Sequence, residues 1–219
     1  MTIRILLVDD HQILRKGLAA LIGAEEGMTV VGEAANGRDA VEKTRELRPD
    51  VVIMDVEMPD LNGIEATRRI LAENPQTRLI ALSMHSDRRF FAEMLKAGAT
   101  AYLLKDSAFE ELAAAIRAVM AKQVYLSPQV ADAVVDGYLH GTPNGAEQPG
   151  AFAALTSRER EVLQLVSEGM ATKQIAGSLQ VSVKTVETHR RKIMEKLDLY
   201  SVAELTKYAI REGLTSVEV

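Results

Sequence analysis

The chain has 219 residues, of which 47% are hydrophobic and 26% are charged, as in ordinary soluble proteins with one or two domains. It contains no cysteine, which excludes a disulfide framework, a thiolate zinc cluster and a thiol nucleophile. No apolar run reaches the roughly 18 residues that cross a bilayer, and residues 1–8 lack the pattern of a signal peptide. We therefore expect a cytoplasmic protein that makes no use of a membrane.

The formal net charge of −5 is unevenly distributed along the chain. Residues 126–150 contain three acidic and no basic residues, whereas residues 151–219 contain ten basic and nine acidic residues. Within the last part, Arg190, Arg191 and Lys192 form a run of three cations. A contact with a polyanion is therefore expected at this local patch and not over the whole surface.

Five short apolar runs alternate with helical patterns in the first part of the chain. Each run is continuous and rich in Val, Ile or Leu, which is typical of parallel strands covered on both faces. The runs are residues 4–8, 28–31, 51–54, 79–82 and 101–104. This alternation predicts an α/β doubly wound domain with a five-stranded parallel sheet. Ser107 and Glu110 predict a capping box for its last helix.

The rest of the chain has a different pattern, and we expect a domain at residues 1–125, a linker at 126–150 and a second domain at 151–219. The linker is predicted to begin with a short helix over residues 130–139 and to continue as a flexible, turn-rich segment. The second domain is predicted to be all-α with four helices. Thr156 with Glu159 and Ser201 with Glu204 predict two capping boxes, and Gly169 is expected to end the first helix. Its short helix, turn and longer polar-faced helix are typical of a helix-turn-helix.

Polar residues stand at the ends of four of the five predicted strands. They are Asp9 and Asp10 after the first strand, Asp55 after the third, Ser83 after the fourth and Lys105 after the fifth. Because ligands of open parallel sheets bind at the carboxyl ends of the strands, we expect these groups to meet there. Three carboxylates in one cleft require a cation, for which Mg²⁺ is well suited, and an aspartate beside it can accept a phosphoryl group. A single aspartate at a strand end is usually a cap or a turn residue, but the combination favours a functional pocket.

Residues 7–11, 53–63, 81–83 and 98–105 resemble the receiver domain of two-component response regulators, which has a flavodoxin-like fold, over about residues 1–122. The resemblance implies that Asp55 accepts a phosphoryl group from a sensor histidine kinase, with at most slow autodephosphorylation and no other enzyme activity. It also implies a Mg²⁺ site formed by Asp10 and Asp55 directly, by Asp9 through water and by the backbone carbonyl of Glu57. Ser83 and Tyr102 match the switch pair of these domains, and Lys105 matches a phosphate-binding lysine.

Four further positions lie in or next to the motifs of this pocket. Asp106 follows Lys105 where many receivers have proline, which leaves the geometry of that loop open. Glu57 and His85 match positions that flank the phosphate, and His11 is expected to be an ordinary surface residue of the first helix.

The third helix of the second domain, predicted over residues 182–197, has two contrasting faces. The inward face is predicted to hold Val183, Val186, Ile193 and Leu197. The opposite face holds Lys184, Glu187, Thr188, Arg191 and Glu195, which recur at helical spacing. A major groove admits one α-helix, in which arginine suits guanine, glutamate suits the cytosine amino group and threonine suits the thymine methyl group. An isolated helix with this pattern is more often an ordinary solvated helix.

Residues 155–163, 169–176 and 181–189 resemble the LuxR-type helix-turn-helix, and together with the receiver they resemble the NarL/FixJ family. The resemblance implies that Glu187, Thr188 and Arg191 face bases. It implies backbone contacts for Thr172, Lys173, Lys184, Thr185, His189, Arg190 and Lys192. The implied partners are double-stranded promoter DNA, RNA polymerase as a further candidate, and a second copy of the chain when phosphorylated. The dimer face would be the fourth helix, with Val202, Leu205, Tyr208 and Ala209, of which Val202, Leu205 and Ala209 are also expected to point inward.

Two other classes of function are weighed against this hypothesis. A phosphatase with an aspartyl nucleophile usually has a second acid in an Asp-x-Asp motif, whereas Glu57 stands two residues after Asp55. A regulator that binds DNA without phosphorylation would not need the complete acidic pocket. A dinucleotide-binding domain is excluded because no G-x-G-x-x-G motif follows the first strand.

Overall fold

The computed structural model of the chain describes residues 2–84, 88–139 and 154–215, which divide into two compact units. The N-terminal unit contains a parallel sheet flanked by helices, and the C-terminal unit is helical. None of the helices in the described residues is both long and apolar enough to cross a membrane.

The N-terminal unit alternates strands and helices from its first residues onward. Its strands are β1 (Ile3–Val8), β2 (Met28–Ala34), β3 (Val51–Asp55), β4 (Arg78–Ser83), β5 (Ala101–Leu104) and β6 (Tyr125–Leu126). Its helices are α1 (Gln12–Ala24), α2 (Gly37–Leu47), α3 (Gly63–Glu73), α4 (Arg88–Ala97), α5 (Ala108–Met120) and α6 (Pro128–Leu139). The strands pair in parallel in the order β2-β1-β3-β4-β5-β6, so the winding reverses at the boundary between β1 and β3. The doubly wound parallel fold is confirmed.

In the part of the chain that the structure describes, the sheet has six strands, and the prediction of five was wrong in this respect. β6 consists of two residues that pair with the start of β5, after a turn in which Lys122 has a φ of 62°. A strand of two residues is too short to show hydrophobic periodicity, so it could not be predicted from the sequence. The short helix expected over residues 130–139 is confirmed as α6, which contacts α4 and β5, with Val130 buried. Residues 140–150 of the expected linker lie outside the described residues.

Successive strand residues point to opposite faces of the sheet, and both faces are buried. On one face, Ile5, Ile53 and Leu82 belong to a core formed with α1 and α5, to which Leu18 and Leu112 contribute. On the other face, α2 contacts β1 and β2, and α3 contacts β3. Burial on both faces explains why these strands are continuous apolar runs rather than alternating ones.

Helix caps in the N-terminal unit agree only in part with the sequence. Asn62 accepts a hydrogen bond from the Glu65 amide and caps α3, directly after the loop that follows β3. The capping box expected at Ser107 and Glu110 is absent, because Ser107 has helical backbone angles and its hydroxyl donates to the Leu104 carbonyl. With these backbone angles, the Ser107 hydroxyl does not accept from an amide in the first turn of α5.

Within residues 154–215, the C-terminal unit has four helices, as predicted. They are α7 (Ser157–Ser167), α8 (Thr172–Ser178), α9 (Val183–Leu197) and α10 (Val202–Arg211). The capping boxes at Thr156 and Ser201 are both present, and Gly169 follows the end of α7 with a φ of 81°.

The core of the C-terminal unit lies between α7, α9 and α10. It includes Val162, Leu163, Val186, Ile193 and Leu205. The prediction that Val183 and Val202 point inward was wrong, since they are 42% and 46% exposed. Both are first residues of helices, and a side chain in the first turn can extend past the edge of the core that its helix covers.

Candidate functional site

Four strand ends bring the polar residues singled out in the sequence to one edge of the sheet. Asp9 follows β1, Asp55 ends β3, Ser83 ends β4, and Lys105 follows β5. Because β1, β3, β4 and β5 are neighbours in the sheet, these residues are adjacent in space although up to 96 positions apart in the chain. All four are buried, whereas Asp10, beside Asp9, is exposed.

The Lys105 ammonium joins two of these carboxylates. Its Nζ atom lies 2.6 Å from Asp55 Oδ2 and 2.8 Å from Asp9 Oδ2. The Lys105 amide also donates to the Ser83 carbonyl at 2.8 Å, which fixes the start of this loop against the end of β4. The loop at Asp106 therefore begins from Lys105, whose backbone amide and side-chain ammonium both make hydrogen bonds.

The electrostatic surroundings of Asp55 oppose its ionisation when no divalent cation is present. Burial, followed by repulsion from Asp9, raises the pKa of Asp55 from 3.8 to about 8, although Lys105 and the Glu57 amide act in the opposite direction. A single ammonium therefore does not compensate two buried carboxylates. A divalent cation beside Asp55 would supply the missing positive charge.

The donors around Asp55 fit a hard divalent cation. Ligand atoms of Asp9, Asp10, His11 and Asp55 all lie within 4.8 Å of one another. Carboxylate oxygens are the ligands that Mg²⁺ prefers, and the exposed side chain of Asp10 leaves the site open on one side for water or substrate. The residues present therefore fit the ion that the acidic pocket of receiver domains generally binds.

His11 is exposed, as expected for a surface residue, and it also lies beside this acidic cluster. Its Nδ1 atom lies 2.8 Å from Asp10 Oδ1 and 3.2 Å from Asp9 Oδ1. In the sequence, only its position next to the two aspartates indicated that it would lie near the pocket.

The loop between β3 and α3 lies directly against the Asp55 carboxylate. The Glu57 amide lies 3.2 Å from Asp55 Oδ1 and donates to it, and the Gly63 amide donates to the Val56 carbonyl at 2.9 Å. A Cβ atom at Gly63 would lie only 1.9 Å from the Asp55 carbonyl oxygen, so only glycine fits. This close approach brings the start of α3 beside the carboxylate.

Ser83 and Tyr102 are both buried, on the neighbouring strands β4 and β5. The Tyr102 ring is fully buried and meets the Phe91 ring of α4 edge-on, with ring centroids 5.6 Å apart and an interplanar angle of 80°. Phe90 and Phe91 of α4 are also buried. His85 lies outside the described residues.

The second candidate site is the exposed face of α9. Lys184, Glu187 and Arg191 are exposed on one stripe of the helix, while Thr188 is half-buried and its hydroxyl donates to the Lys184 carbonyl. Lys192 is also exposed, and Arg190, Thr185 and His189 are half-buried. In α8, Lys173 is exposed and Thr172 half-buried. The cationic side chains that are predicted to contact DNA are therefore exposed or half-buried on the surface of the C-terminal unit.

Two further residues belong to this face of the C-terminal unit. A groove of about 300 Å³ is lined by Glu187, Arg190, Arg191, Met194, Glu195 and Tyr200. Met194 falls at helical spacing from Glu187 and Arg191, so its position on this face could have been predicted from the sequence. Tyr200 lies after the end of α9, so only the fold brings it there.

The position of α9 is fixed by contacts on its inner side. Lys196 Nζ lies 2.6 Å from Glu159 Oε2 in α7, and the Glu159 carboxylate also accepts from the Thr156 amide. Burial opposes the ionisation of Glu159, but the hydrogen bonds from Lys196 and Thr156 outweigh it and lower its pKa. α9 is therefore held by an ion pair as well as by Val186 and Ile193.

The helix α10 offers less surface than expected for a dimer face. Leu205 and Ala209 are buried in the core of their own unit. Tyr208 is half-buried, with the Arg211 guanidinium 5.1 Å from its ring centroid. Of the four residues assigned to that face, only Val202 and Tyr208 retain accessible surface.

Comparison with known proteins agrees with the geometry of both sites. Residues 5–117 match the response regulator receiver domain, and residues 153–209 match the bacterial regulatory proteins of the luxR family. The chain is 37% identical to the response regulator GacA of Pseudomonas protegens over 217 residues, covering 99% of this chain and 100% of that protein.

Two solved structures are also similar. A LuxR-family two-component response regulator from Aurantimonas sp. SI85-9A1 is 39% identical, with a TM-score of 0.61, over 64% of this chain and 99% of that one. The RcsB response regulator of Salmonella typhimurium, from a study of conformational dynamism for DNA interaction, is 25% identical, with a TM-score of 0.64, over 94% and 96% of the two chains. The chain therefore belongs to the NarL/FixJ family of two-component response regulators, transcription regulators in which a receiver domain precedes a LuxR-type helix-turn-helix.

Proposed function

We propose that Asp55 is the phosphoacceptor of this response regulator and that its phosphorylation controls binding of the C-terminal unit to promoter DNA. The single observation that carries the proposal is the arrangement of Asp55 between Asp9 and Lys105, all three buried at one end of the sheet. Buried carboxylates of like charge are costly, and stability alone does not explain why two of them converge here.

The proposed reaction is transfer of a phosphoryl group from the phosphorylated imidazole of a sensor histidine kinase. An Asp55 carboxylate oxygen attacks phosphorus, the P–N bond breaks, and the kinase imidazole leaves with the bonding electron pair. Lys105, which already lies 2.6 Å from Asp55 Oδ2, stabilises the negative charge on the transferred oxygens. Ser83, which ends the neighbouring strand, would donate a hydrogen bond to one of those oxygens.

The ion that we assign to the pocket is Mg²⁺, held by Asp10 and Asp55 directly, by Asp9 through water and by the backbone carbonyl of Glu57. When bound, it neutralises charge on the phosphoryl oxygens and so lowers the barrier to attack by a carboxylate. The clustering of the acidic ligand atoms and the raised pKa of Asp55 support this assignment.

The signal would pass from the phosphoryl group to the Ser83–Tyr102 pair. Tyr102 lies on β5, the strand that pairs with β4, where Ser83 is the last residue, and its ring contacts Phe91 of α4. A shift of the Ser83 hydroxyl toward the phosphoryl group opens space behind it, so the ring and α4 can move together. The cluster of Ser83, Tyr102 and Phe91 would then have one arrangement without the phosphoryl group and another with it, and a switch requires two such states.

In the C-terminal unit we assign base contacts to Glu187, Thr188 and Arg191. Backbone phosphates would be contacted by Thr172, Lys173, Lys184, Thr185, His189, Arg190 and Lys192. Two copies of the chain, paired after phosphorylation, would bind two half-sites about one helical turn apart, and RNA polymerase is a further candidate partner. The domains would span residues 1–125 and 151–219, joined by residues 126–150.

The decisive experiment combines labelling with DNA binding on the full chain. With Mg²⁺ and labelled acetyl phosphate, the wild type should be labelled and Asp55→Asn should not. Asp132→Asn, at an exposed aspartate of α6, is the matched control and should be labelled normally.

The same proteins are then compared on duplex DNA selected from a random pool with the phosphorylated wild type. The phosphodonor should raise the affinity of the wild type and of Asp132→Asn, but not that of Asp55→Asn. An equal rise with Asp55→Asn would show that the switch does not depend on this residue.

A further inference from the structure

We propose that His11 supplies a nitrogen ligand to the metal site, so that the pocket binds Co²⁺ and Zn²⁺ far more tightly than Mg²⁺. The inference rests on the proposed function, since it concerns the same acidic pocket. It adds a nitrogen ligand to the carboxylates of that pocket. With this ligand the site would favour transition-metal ions more than the carboxylates alone do.

The spacing of the donor atoms supports direct coordination. In an octahedral site with bonds of about 2.1 Å, neighbouring ligand atoms lie about 3.0 Å apart. The distances from His11 Nδ1 to Asp10 Oδ1 and to Asp9 Oδ1, 2.8 Å and 3.2 Å, bracket this value. His11 Nδ1 is therefore spaced from each of these two oxygens as a neighbouring ligand of one ion would be, and the ligand atoms of the cluster all lie within 4.8 Å of one another.

The two oxygens of the Asp9 carboxylate have different neighbours. Asp9 Oδ2 and Asp55 Oδ2 lie against the Lys105 ammonium. Asp9 Oδ1 lies near His11, and Asp55 Oδ1 lies near the Glu57 amide. A cation that binds among Asp9 Oδ1, Asp10 Oδ1 and His11 Nδ1 therefore leaves the Lys105 ion pairs intact.

The position of His11 at the start of α1 is a second, independent observation. His11 is the N-cap residue of α1, but its side chain makes no capping hydrogen bond. Ser, Thr, Asp or Asn at this position would stabilise the helix through a side-chain capping hydrogen bond. The imidazole lies at the two carboxylates instead, and with 60% of its side chain exposed it is accessible to an ion from solution.

The chemistry of the ligand decides which ions gain from it. Mg²⁺ prefers oxygen ligands and retains much of its water, whereas Co²⁺ and Zn²⁺ bind imidazole nitrogen strongly. A site with two or three carboxylates and one imidazole therefore discriminates in favour of these transition-metal ions. Within the described residues, the only group of three or more potential metal ligands that meets this spacing is the one containing His11.

The first test is calorimetric titration of the full chain with Co²⁺, Zn²⁺ and Mg²⁺ separately. His11→Gln should weaken Co²⁺ and Zn²⁺ binding at least about tenfold while changing Mg²⁺ binding by less than about twofold. His140→Gln, which replaces a histidine with no assigned role, is the matched control and should retain the affinities of the wild type. Equal Co²⁺ affinity in His11→Gln and wild type would overturn the assignment, and so would an equal loss of affinity in His140→Gln.

The second test detects the nitrogen ligand directly. Mn²⁺ bound to the wild type should show coupling to a directly coordinated ¹⁴N nucleus in pulsed electron paramagnetic resonance, and His11→Gln should lose it. His11→Gly should regain the coupling when imidazole is added, which separates ligation from any effect on folding. Binding with oxygen ligands alone would overturn the role of His11 and leave the proposed function standing, whereas failure of every ion to bind the wild type would overturn the proposed pocket itself.

Discussion

At the scale of single residues, the position of Asp55 depends on the absence of a side chain at Gly63. The start of α3 approaches the end of β3 so closely that a Cβ atom would overlap the Asp55 carbonyl oxygen. The glycine is therefore required for the packing of the pocket and not for an unusual φ angle.

Gly63→Ala should lower the free energy of unfolding by about 3 kcal/mol, because the backbone of β3 or α3 must move to relieve the overlap. The same shift displaces Asp55, so labelling by acetyl phosphate should also fall. Gly23→Ala is the matched control, since a Cβ atom there meets nothing within 4 Å in α1. It should be neutral or stabilise by up to about 1 kcal/mol in urea denaturation. If both variants behave alike, the close approach at Gly63 is not present in solution.

The raised pKa of Asp55 predicts a pH dependence of stability in the metal-free protein. Between its ordinary value of 3.8 and about 8, this carboxyl holds its proton in the folded chain but not in the unfolded chain. The folded state then binds more protons, so the free energy of unfolding falls as the pH rises through this window.

Urea denaturation with EDTA at pH 5 and pH 8 tests this dependence. The wild type should lose more stability between the two values than Asp55→Asn, and Mg²⁺ should reduce the loss because a cation favours the ionised carboxylate. Parallel behaviour of the two proteins in EDTA would contradict the raised pKa.

At the scale of helices and strands, the predicted capping boxes formed at Thr156 and Ser201 but not at Ser107. The capping boxes of α7 and α10 are present as predicted, and in α10 the hydrogen bond from the Ser201 hydroxyl, followed by those from the backbone amides of Ser201 and Tyr200, lowers the pKa of Glu204. At Ser107 the same motif did not form, because the β5–α5 connection is a tight turn to which the hydroxyl bonds. The geometry of the preceding connection therefore decided whether the motif was used.

Ser201→Ala should destabilise α10 by about 1 kcal/mol, while Ser107→Ala should change α5 by much less, since Ser107 makes no capping hydrogen bond. Hydrogen exchange measured by mass spectrometry on the full chain reports each helix separately. Faster exchange is expected over residues 202–211 in Ser201→Ala and unchanged exchange over residues 108–120 in Ser107→Ala. Equal effects on the two helices would contradict the difference in capping.

At the scale of the whole molecule, the net charge of −5 coexists with a local cationic surface in the C-terminal unit. Lys184, Arg191 and Lys192 are exposed on α9, so attraction to DNA is a property of this surface and not of the total charge. Binding should therefore depend strongly on salt although the protein is acidic.

Lys192→Ala should weaken binding to all duplexes to a similar degree and reduce the slope of log affinity against log salt by about 1. Arg191→Ala should instead cost about 1–3 kcal/mol on the preferred sequence and relax discrimination at one position. Fluorescence anisotropy on selected and scrambled duplexes distinguishes the two effects, with Lys207→Ala, an exposed lysine of α10, as the control. An unchanged salt slope in Lys192→Ala would remove this residue from the DNA surface.

The sequence by itself determined the two kinds of domain, five of the six strands, the four helices of the C-terminal unit and the polar residues at the strand ends. These features are encoded locally, by apolar runs, helical spacing and capping motifs that involve residues a few positions apart. The motif resemblances added the family and the predicted role of each site residue.

Only the tertiary structure decided which atoms of those residues meet. The strand order places Asp9, Asp55 and Lys105 within hydrogen-bond distance although they are far apart in the chain, and it raises the pKa of Asp55. The tertiary structure also pairs the two-residue strand β6 with β5. In the C-terminal unit it buries Leu205 and Ala209, which the resemblance assigns to a dimer face, and it brings Tyr200 and Arg191 to the same groove. The reason is that burial and electrostatic interactions depend on distances between segments, which local periodicity does not encode.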